Sequence, residues 1–445
     1  RAGVNAGNSI TSGGNHNVTV GDEAGTAITT GDGNIVIGFE SGHDITTGGY
    51  NLLIGWKAGD KIDTASQNVA IGDGSLSADT KGSKSIAVGS NTLNAQNFTS
   101  ATDAYNTAVG NNAGAAVTTG IQNTLIGGLA GDALTDADSN VAVGYNAMSS
   151  SVLGSQSVAV GNGALFAMNP ASAVHMLNTA VGFDAGNAVT TGTQNTLIGG
   201  KAGDAITVGV RNVALSANAL SSDTKGSHSI AIGYNSLFNQ NFTSATETYN
   251  TAVGYNTGSS ISTGIENTLI GGLAGDALTD ADYNVVVGKS ALSADTLGSR
   301  SIAIGYKALE AQNFTSATDT YNVAIGHFAG GSITTGFANT AVGGLALDAN
   351  QTSNSNTAVG KEAGTSTTQA AGTYIGAEAG KNTNSVSNTF IGCSAGEAVT
   401  SAAKNTILGR FNGNENGLDI RTSSNNIVLS DGDGNPRLFI NSVGS

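Results

Sequence analysis

Apolar and polar positions alternate in a five-residue unit that opens on Asn. Asn-x-[small or apolar]-[Val/Ile/Leu]-Gly, with close variants, recurs 24 times between Asn17-Val-Thr-Val-Gly21 and Asn426-Ile-Val-Leu-Ser430. With the Asn as position 0, +3 is Val, Ile or Leu in every unit and +1 is almost always Thr, Val, Ile or Leu. These residues favour strands, and residues two apart share one face of a strand. Position +2 points the other way, yet it is Ala in half the units (Ala70, Ala87, Ala108, Ala142) and another apolar residue in most others. Both faces are apolar, which predicts a short strand buried on each side. One face is expected to pack within its own coil. The Ala-rich +2 face, which permits close approach, is expected to meet the same face of another copy. Gly at +4 ends the strand by taking backbone angles closed to other residues. Ala-Gly or Ala-Leu at +7 and +8 (Ala24-Gly25, Ala58-Gly59, Ala113-Gly114, Ala308-Leu309) predicts a second tight packing point inside the coil.

The spacing of these units predicts a solenoid. Units starting at residues 34, 51, 68, 85 and 106 are 17, 17, 17 and 21 residues apart, and this block of 72 recurs from Asn34, Asn106, Asn178, Asn250 and Asn322. After Asn322 the steps become 17, 17, 16, 16, 17 and 21. A unit on such a ruler is stacked on itself. The expected fold is all-β, a parallel β-solenoid (β-roll) of about 24 coils. Its parts are a lead-in over 1–16, a repeat shaft over 17–424 and a closing segment over 425–445. Within the shaft, four-coil blocks run from 34 to 321 and irregular coils from 322 to 424. A rise of one strand spacing per coil makes this a rod of roughly 110 Å. The recurrent Asn predicts an amide ladder along the axis, built by Asn34, Asn51, Asn106, Asn123, Asn178, Asn195, Asn250, Asn267 and Asn322 among others.

Composition narrows the function classes. Gly is 65 of 445 residues, Pro only 2 and charged residues 11%, a chain that folds but carries little surface charge. The net charge of −15 argues against binding nucleic acid or an anionic membrane. No apolar run approaches the length of a membrane helix. The single Cys393 can form no intrachain disulfide, and a buried thiol is its default. The chain opens on Arg1, which suggests a processed or partial product.

Candidate chemistry is sparse. Asp431-Gly-Asp-Gly-Asn435 alternates carboxylates with Gly as calcium loops do, but Asp-Gly and Gly-Asn are also hairpin-turn signals, and the turn is favoured over calcium on Asp431 and Asp433. Gly127-Gly-Leu-Ala-Gly-Asp-Ala-Leu134 and its copies near 199 and 271 come close to a calcium-binding nonapeptide, but 72 residues separate copies that would have to be adjacent. The long fourth spacing holds Asn97-Phe-Thr-Ser-Ala-Thr-Asp-Ala-Tyr105 and its copies ending at Tyr249 and Tyr321. These loops should bulge, and Phe98, Tyr105, Phe242, Tyr249, Phe314 and Tyr321 are candidate surface contacts for sugars or, as the favoured reading, a satellite core under the loop. The copy Asn169-Pro-Ala-Ser-Ala-Val-His-Met-Leu177 lacks both aromatics. Histidines 16, 43, 175, 228 and 327 show no metal-ligand spacing, and no nucleophile stands beside a base. No catalytic residue, cofactor or metal is expected, and the chain is not expected to be an enzyme.

Ser85-Ile-Ala-Val-Gly89, Ser157-Val-Ala-Val-Gly161, Ser229-Ile-Ala-Ile-Gly233 and Ser301-Ile-Ala-Ile-Gly305 resemble the head repeat of trimeric autotransporter adhesins. The resemblance spans most of the chain and implies a left-handed parallel β-roll in an intertwined homotrimer, although the coils here are longer. Asn425-Asn-Ile-Val-Leu-Ser-Asp-Gly-Asp-Gly-Asn-Pro-Arg-Leu-Phe-Ile440 resembles the segment that closes bacteriophage tail-fibre shafts. Together they imply a virion tail fibre or appendage shaft that serves host attachment. Its expected partners are itself, other tail proteins and a host surface glycan or receptor. The alternative is the passenger of a bacterial surface adhesin that binds matrix or glycans.

Overall fold

The computed structural model describes residues 2–445 and is all-β, with no helix among the described residues. It is a parallel β-solenoid of about 24 turns, divided into two compact units. The first comprises 1–227 with 243–245, the second 228–242 with 246–445.

In the first unit each coil contributes a three-residue strand over positions +1 to +3, such as Thr107–Val109, Thr124–Ile126 and Val141–Val143. Neighbours pair in parallel with +1 on +1 (Thr107↔Thr124↔Val141). The 21-residue coil keeps this register (Ile86↔Thr107). Its surplus residues leave the coil as a bulge whose exposed tip is Thr99, Ser100 and Ala101. A short second pairing, Gly82–Ser83 with Thr102–Asp103, anchors the base of that bulge. Residues in the 2–16 stretch carry the same pattern, since the Ala2 amide bonds the Thr19 carbonyl and the Gly7 amide the Ala24 carbonyl.

The second unit repeats this arrangement from Ile230–Ile232 onward, and its 16-residue steps preserve register as well (Thr357↔Thr373↔Thr389). Its last parallel strand, Ile427–Ser430, takes Pro436–Ile440 as an antiparallel partner. A free parallel edge would be a template for further pairing, and this hairpin occupies it.

The two strand faces are the reverse of the sequence expectation. Position +2 is fully buried inside its own coil, as Ala70, Ala108, Leu125 and Leu197 show, while +1 and +3 face outward and are half-buried or exposed. Ala is used at +2 because the coil interior is narrow, not because another copy approaches there. In most coils a large apolar side chain fills the cross-section from the far side, entering at +8 or at +11; the coils starting at Asn356 and Gly372 have Gly and Thr there, and the buried Tyr374 ring packs against Gly364 and Gly380 instead. Leu53 shares its coil with Gly59 and Ile62, and a Cβ on Gly59 would stand 2.8 Å from Ile62 and 2.9 Å from Leu53. Where +8 is Leu76 or Leu93, +11 is the polar Asp79 or Gln96. Such volume compensation keeps the interior at constant density.

Glycine at +4 has a steric origin. Gly127 sits at φ +133, and a Cβ there would lie 2.5 Å from the Gly144 carbonyl oxygen of the next coil. Ser216 and Ser430 are the departures in this column, and Ser216 adopts φ 113 regardless.

Candidate functional site: the buried ladder and the outward face

The Asn side chains are buried and bonded at both ends. The Asn34 Oδ1 accepts the Asn51 backbone N–H at 3.0 Å, and the Asn51 Nδ2 donates to the Ala65 carbonyl at 3.0 Å. The same pair of bonds recurs at Asn106 and Asn123 (2.9 and 2.7 Å) and at Asn178 and Asn195 (2.9 and 2.9 Å). It recurs again at Asn250 and Asn267 (2.9 and 2.7 Å), while the Oδ1 of Asn322 accepts the Asn339 N–H at 2.9 Å. The axial bond therefore runs mainly from backbone N–H to side-chain oxygen. Direct amide-to-amide contacts are longer at several steps, 3.3 Å from Asn123 to Asn106 and 3.2 Å from Asn195 to Asn178. Each Asn satisfies groups that would otherwise be orphaned in a closed coil.

Where the ladder position is Ser, the side chain is too short, and a neighbour bridges the gap. Gln96 Nε2 donates to Ser85 Oγ at 3.0 Å and to Asp79 Oδ2 at 2.6 Å, and its Oε1 accepts from Asn106 Nδ2 at 2.8 Å. Asp79 Oδ1 accepts the Gly82 amide at 2.9 Å. Gln312, Ser301, Asp295 and Asn322 repeat the cluster. In the block beginning at Asn106 the Asp and Gln positions are Ser151 and Met168, and Met176 fills the space beside them. Acid and amide are thus lost together, and sulfur takes their place.

The long-coil aromatics divide. Phe98, Phe242 and Phe314 are buried under their loops, whereas Tyr105, Tyr249 and Tyr321 are exposed. Lys84 bonds Asp103 at 2.6 Å and the Tyr105 hydroxyl at 3.1 Å, and Arg300 bonds Asp319 at 2.8 Å beside Tyr321. Two rows of exposed side chains escaped the sequence reading. One is at −1 and includes these tyrosines with Tyr50 and Tyr283. The other is at +5 and includes Trp56, Tyr145, Phe183, Tyr234 and Tyr255. Tabulating residue types by coil position would have found both.

Cys393 also stands at +5 and is exposed, which corrects the expectation of a buried thiol. The left-handed Gly392 before it turns the chain outward. Asp431 does the work of a turn. Its Oδ1 accepts the Asp433 and Asn435 amides at 3.0 and 2.9 Å, and its Oδ2 accepts from Arg437. These donors occupy both oxygens that a cation would need. His43, Asp44 and Asp60 come close enough to share an ion, but the Lys61 ammonium stands 3.1 Å from Asp44 and 3.5 Å from Asp60 and supplies the positive charge. No helix among the described residues is long and apolar enough to cross a membrane.

Burial pushes the carboxyls of Asp79, Asp204, Asp276 and Asp348 above the usual range, with N–H donors offsetting part of this at Asp79. Near the C-terminus the shift is opposite. The Asn435 amide, with Arg437 adding to it, holds Asp431 well below that range, and Arg421 lowers Asp419 to about 2. A group raised in the fold adds stability that is complete below the unfolded carboxylate value, roughly pH 4, and is lost as pH rises through the raised value. A lowered group adds stability that is present above pH 4 and lost as pH falls, through about 2 for Asp419. Going from pH 7 to 4.5 should therefore raise the amide protection factors around Asp79, Asp204 and Asp276, measured against intrinsic exchange at each pH, with no matching gain in the hairpin at 427–440. Equal protection at both pH values would refute the assignment.

No family model, curated protein or solved structure matches this chain.

Proposed function

We propose that this chain is a stretch of a homotrimeric fibre shaft, part of a virion tail fibre or appendage that carries a host-contacting element and joins other tail proteins. The observation that carries the reading is the outward +1/+3 face. Ile126, Ile198 and Ile270 are 38%, 41% and 40% exposed and recur at one coil position in the two units. An outward apolar row that recurs within each unit, in a chain with a net charge of −15, is a surface to be covered. Its +5 flank carries Trp56, Tyr145, Phe183, Tyr234 and Tyr255, the aromatic residue types that rim and anchor protein interfaces. The identical strip on a second and third copy is its natural complement, and closure about a three-fold axis is what the adhesin-head resemblance implies. The role is mechanical, with no catalytic group. An adhesin passenger is the second reading, favoured by the exposed tyrosines on the flank.

The test is solution mass. The chain should run as a trimer, and Ile126→Lys with Ile198→Lys should lower the mass while the β-sheet circular dichroism persists. A wild-type monomer would overturn the reading.

A further inference from the structure

In the second unit the residues preceding the first six ladder positions form a row: His228, Tyr249, Glu266, Tyr283, Arg300 and Tyr321. All six have left-handed backbones, with φ between 50° and 64°. That region costs a residue with a Cβ about 1 kcal/mol, and Gly or Asn would fill it more cheaply. Five of the chain's ten tyrosines nevertheless occupy this coil position, the others being Tyr50 and Tyr105. Burial does not compensate them, for Tyr249, Tyr283 and Tyr321 are 50%, 41% and 57% exposed. The Tyr249 ring stacks on His228 at 5.1 Å, yet all three rings stay exposed, and backbone preference does not explain them.

Spacing and neighbours suggest what does. Tyr249, Tyr283 and Tyr321 follow one another at intervals of two coils, roughly 9.6 Å along the stack, and face the same side. Polar groups stand between them. Arg300 lies 4.8 Å over the Tyr283 ring and 2.8 Å from Asp319, and the Tyr249 hydroxyl donates to Glu247 at 2.8 Å. Flat apolar surface thus alternates with acceptors and donors at a fixed period.

We propose that this row is a binding strip for an extended, hydroxyl-rich polysaccharide lying along the flank, with every second sugar against a tyrosine. A pyranose has an apolar C–H face and a rim of hydroxyls, which a ring with a polar tip and neighbouring charged groups can match. The two-coil interval suits the disaccharide repeat of an extended β-linked chain. The net charge of −15 disfavours a polyanion as occupant. The first unit lacks the period, since Tyr50 and Tyr105 are three coils apart and Leu177 stands at the equivalent position of the next block. The proposal rests on the attachment reading for its setting and names the class of surface molecule contacted.

Cellohexaose and chitohexaose, titrated calorimetrically into the full chain, are the probes. At least one should bind, and Tyr249→Ser with Tyr283→Ser and Tyr321→Ser should weaken it at least tenfold, while Tyr50→Ser with Tyr105→Ser leaves it unchanged. Binding of neither probe, or equal affinity for the two variant sets, overturns the proposal. The mass of the same samples separates the two readings: a trimer that ignores both sugars loses only the strip, whereas a monomer loses the fibre.

Discussion

Gly127→Ala should unfold the coils around it, while Gly128→Ala, one residue on, should change almost nothing. The first substitution puts a methyl 2.5 Å from the Gly144 carbonyl oxygen on a residue held at φ +133. Neither strand can yield without breaking the parallel register on its other side, because Thr124–Ile126 is paired on both edges. Backbone strain of this kind costs of order 1–3 kcal/mol, and the contact adds to it, so a loss above about 3 kcal/mol is expected. At Gly128 the nearest atom to an added methyl is the Tyr145 ring at 3.5 Å, and the change should stay within about 0.5 kcal/mol. Solenoid coils contact only their neighbours, so the damage should be local. Amide exchange over 107–143 is the readout, and equal protection in the two variants would refute the packing account.

Gln96→Met should be nearly as harmful, and Asp79→Ser should partly rescue it. The single change removes the 2.6 Å donor from a fully buried carboxylate and one acceptor from the Asn106 amide. Leaving a buried charge short of a partner costs about 3 kcal/mol. Removing the acid as well recreates the Ser151 and Met168 pair, which the chain already tolerates in the same coil positions. A favourable coupling of roughly 1–2 kcal/mol is expected between residues that share a network. A double-mutant cycle, read from exchange of the amides near Phe98 and Asn106, measures it. Strict additivity would mean that the two positions do not act as a unit.

The parts legible in the sequence were those that every coil must obey in the same way. The strand at +1 to +3, its in-register pairing and the left-handed residue at +4, nearly always Gly, repeat because backbone geometry demands them at almost every step. The direction of the strand was not legible. Three residues with apolar side chains on both faces carry no inside or outside label, and the small +2 Ala reflected the reach of Leu76 or Leu93 across the coil, eight residues from the Asn. The Asp79 and Gln96 cluster was hidden for the same reason, as its members lie on different coils and meet only when stacked. Phe98 and Tyr105 share one loop yet part ways, since only the first lies over the coil interior.

The Asn ladder gives each coil a direction. Its oxygen always serves the following coil, and its nitrogen closes its own, so coils join only head to tail. Any coil that ends on the same phase can therefore be followed by any coil that starts on it. Excising the 72 residues 106–177 would join Tyr105 to Asn178, and Gln96 would find at Asn178 the amide it now finds at Asn106. Copy number of the four-coil block is thus a length dial that recombination can turn without a misfit at the splice.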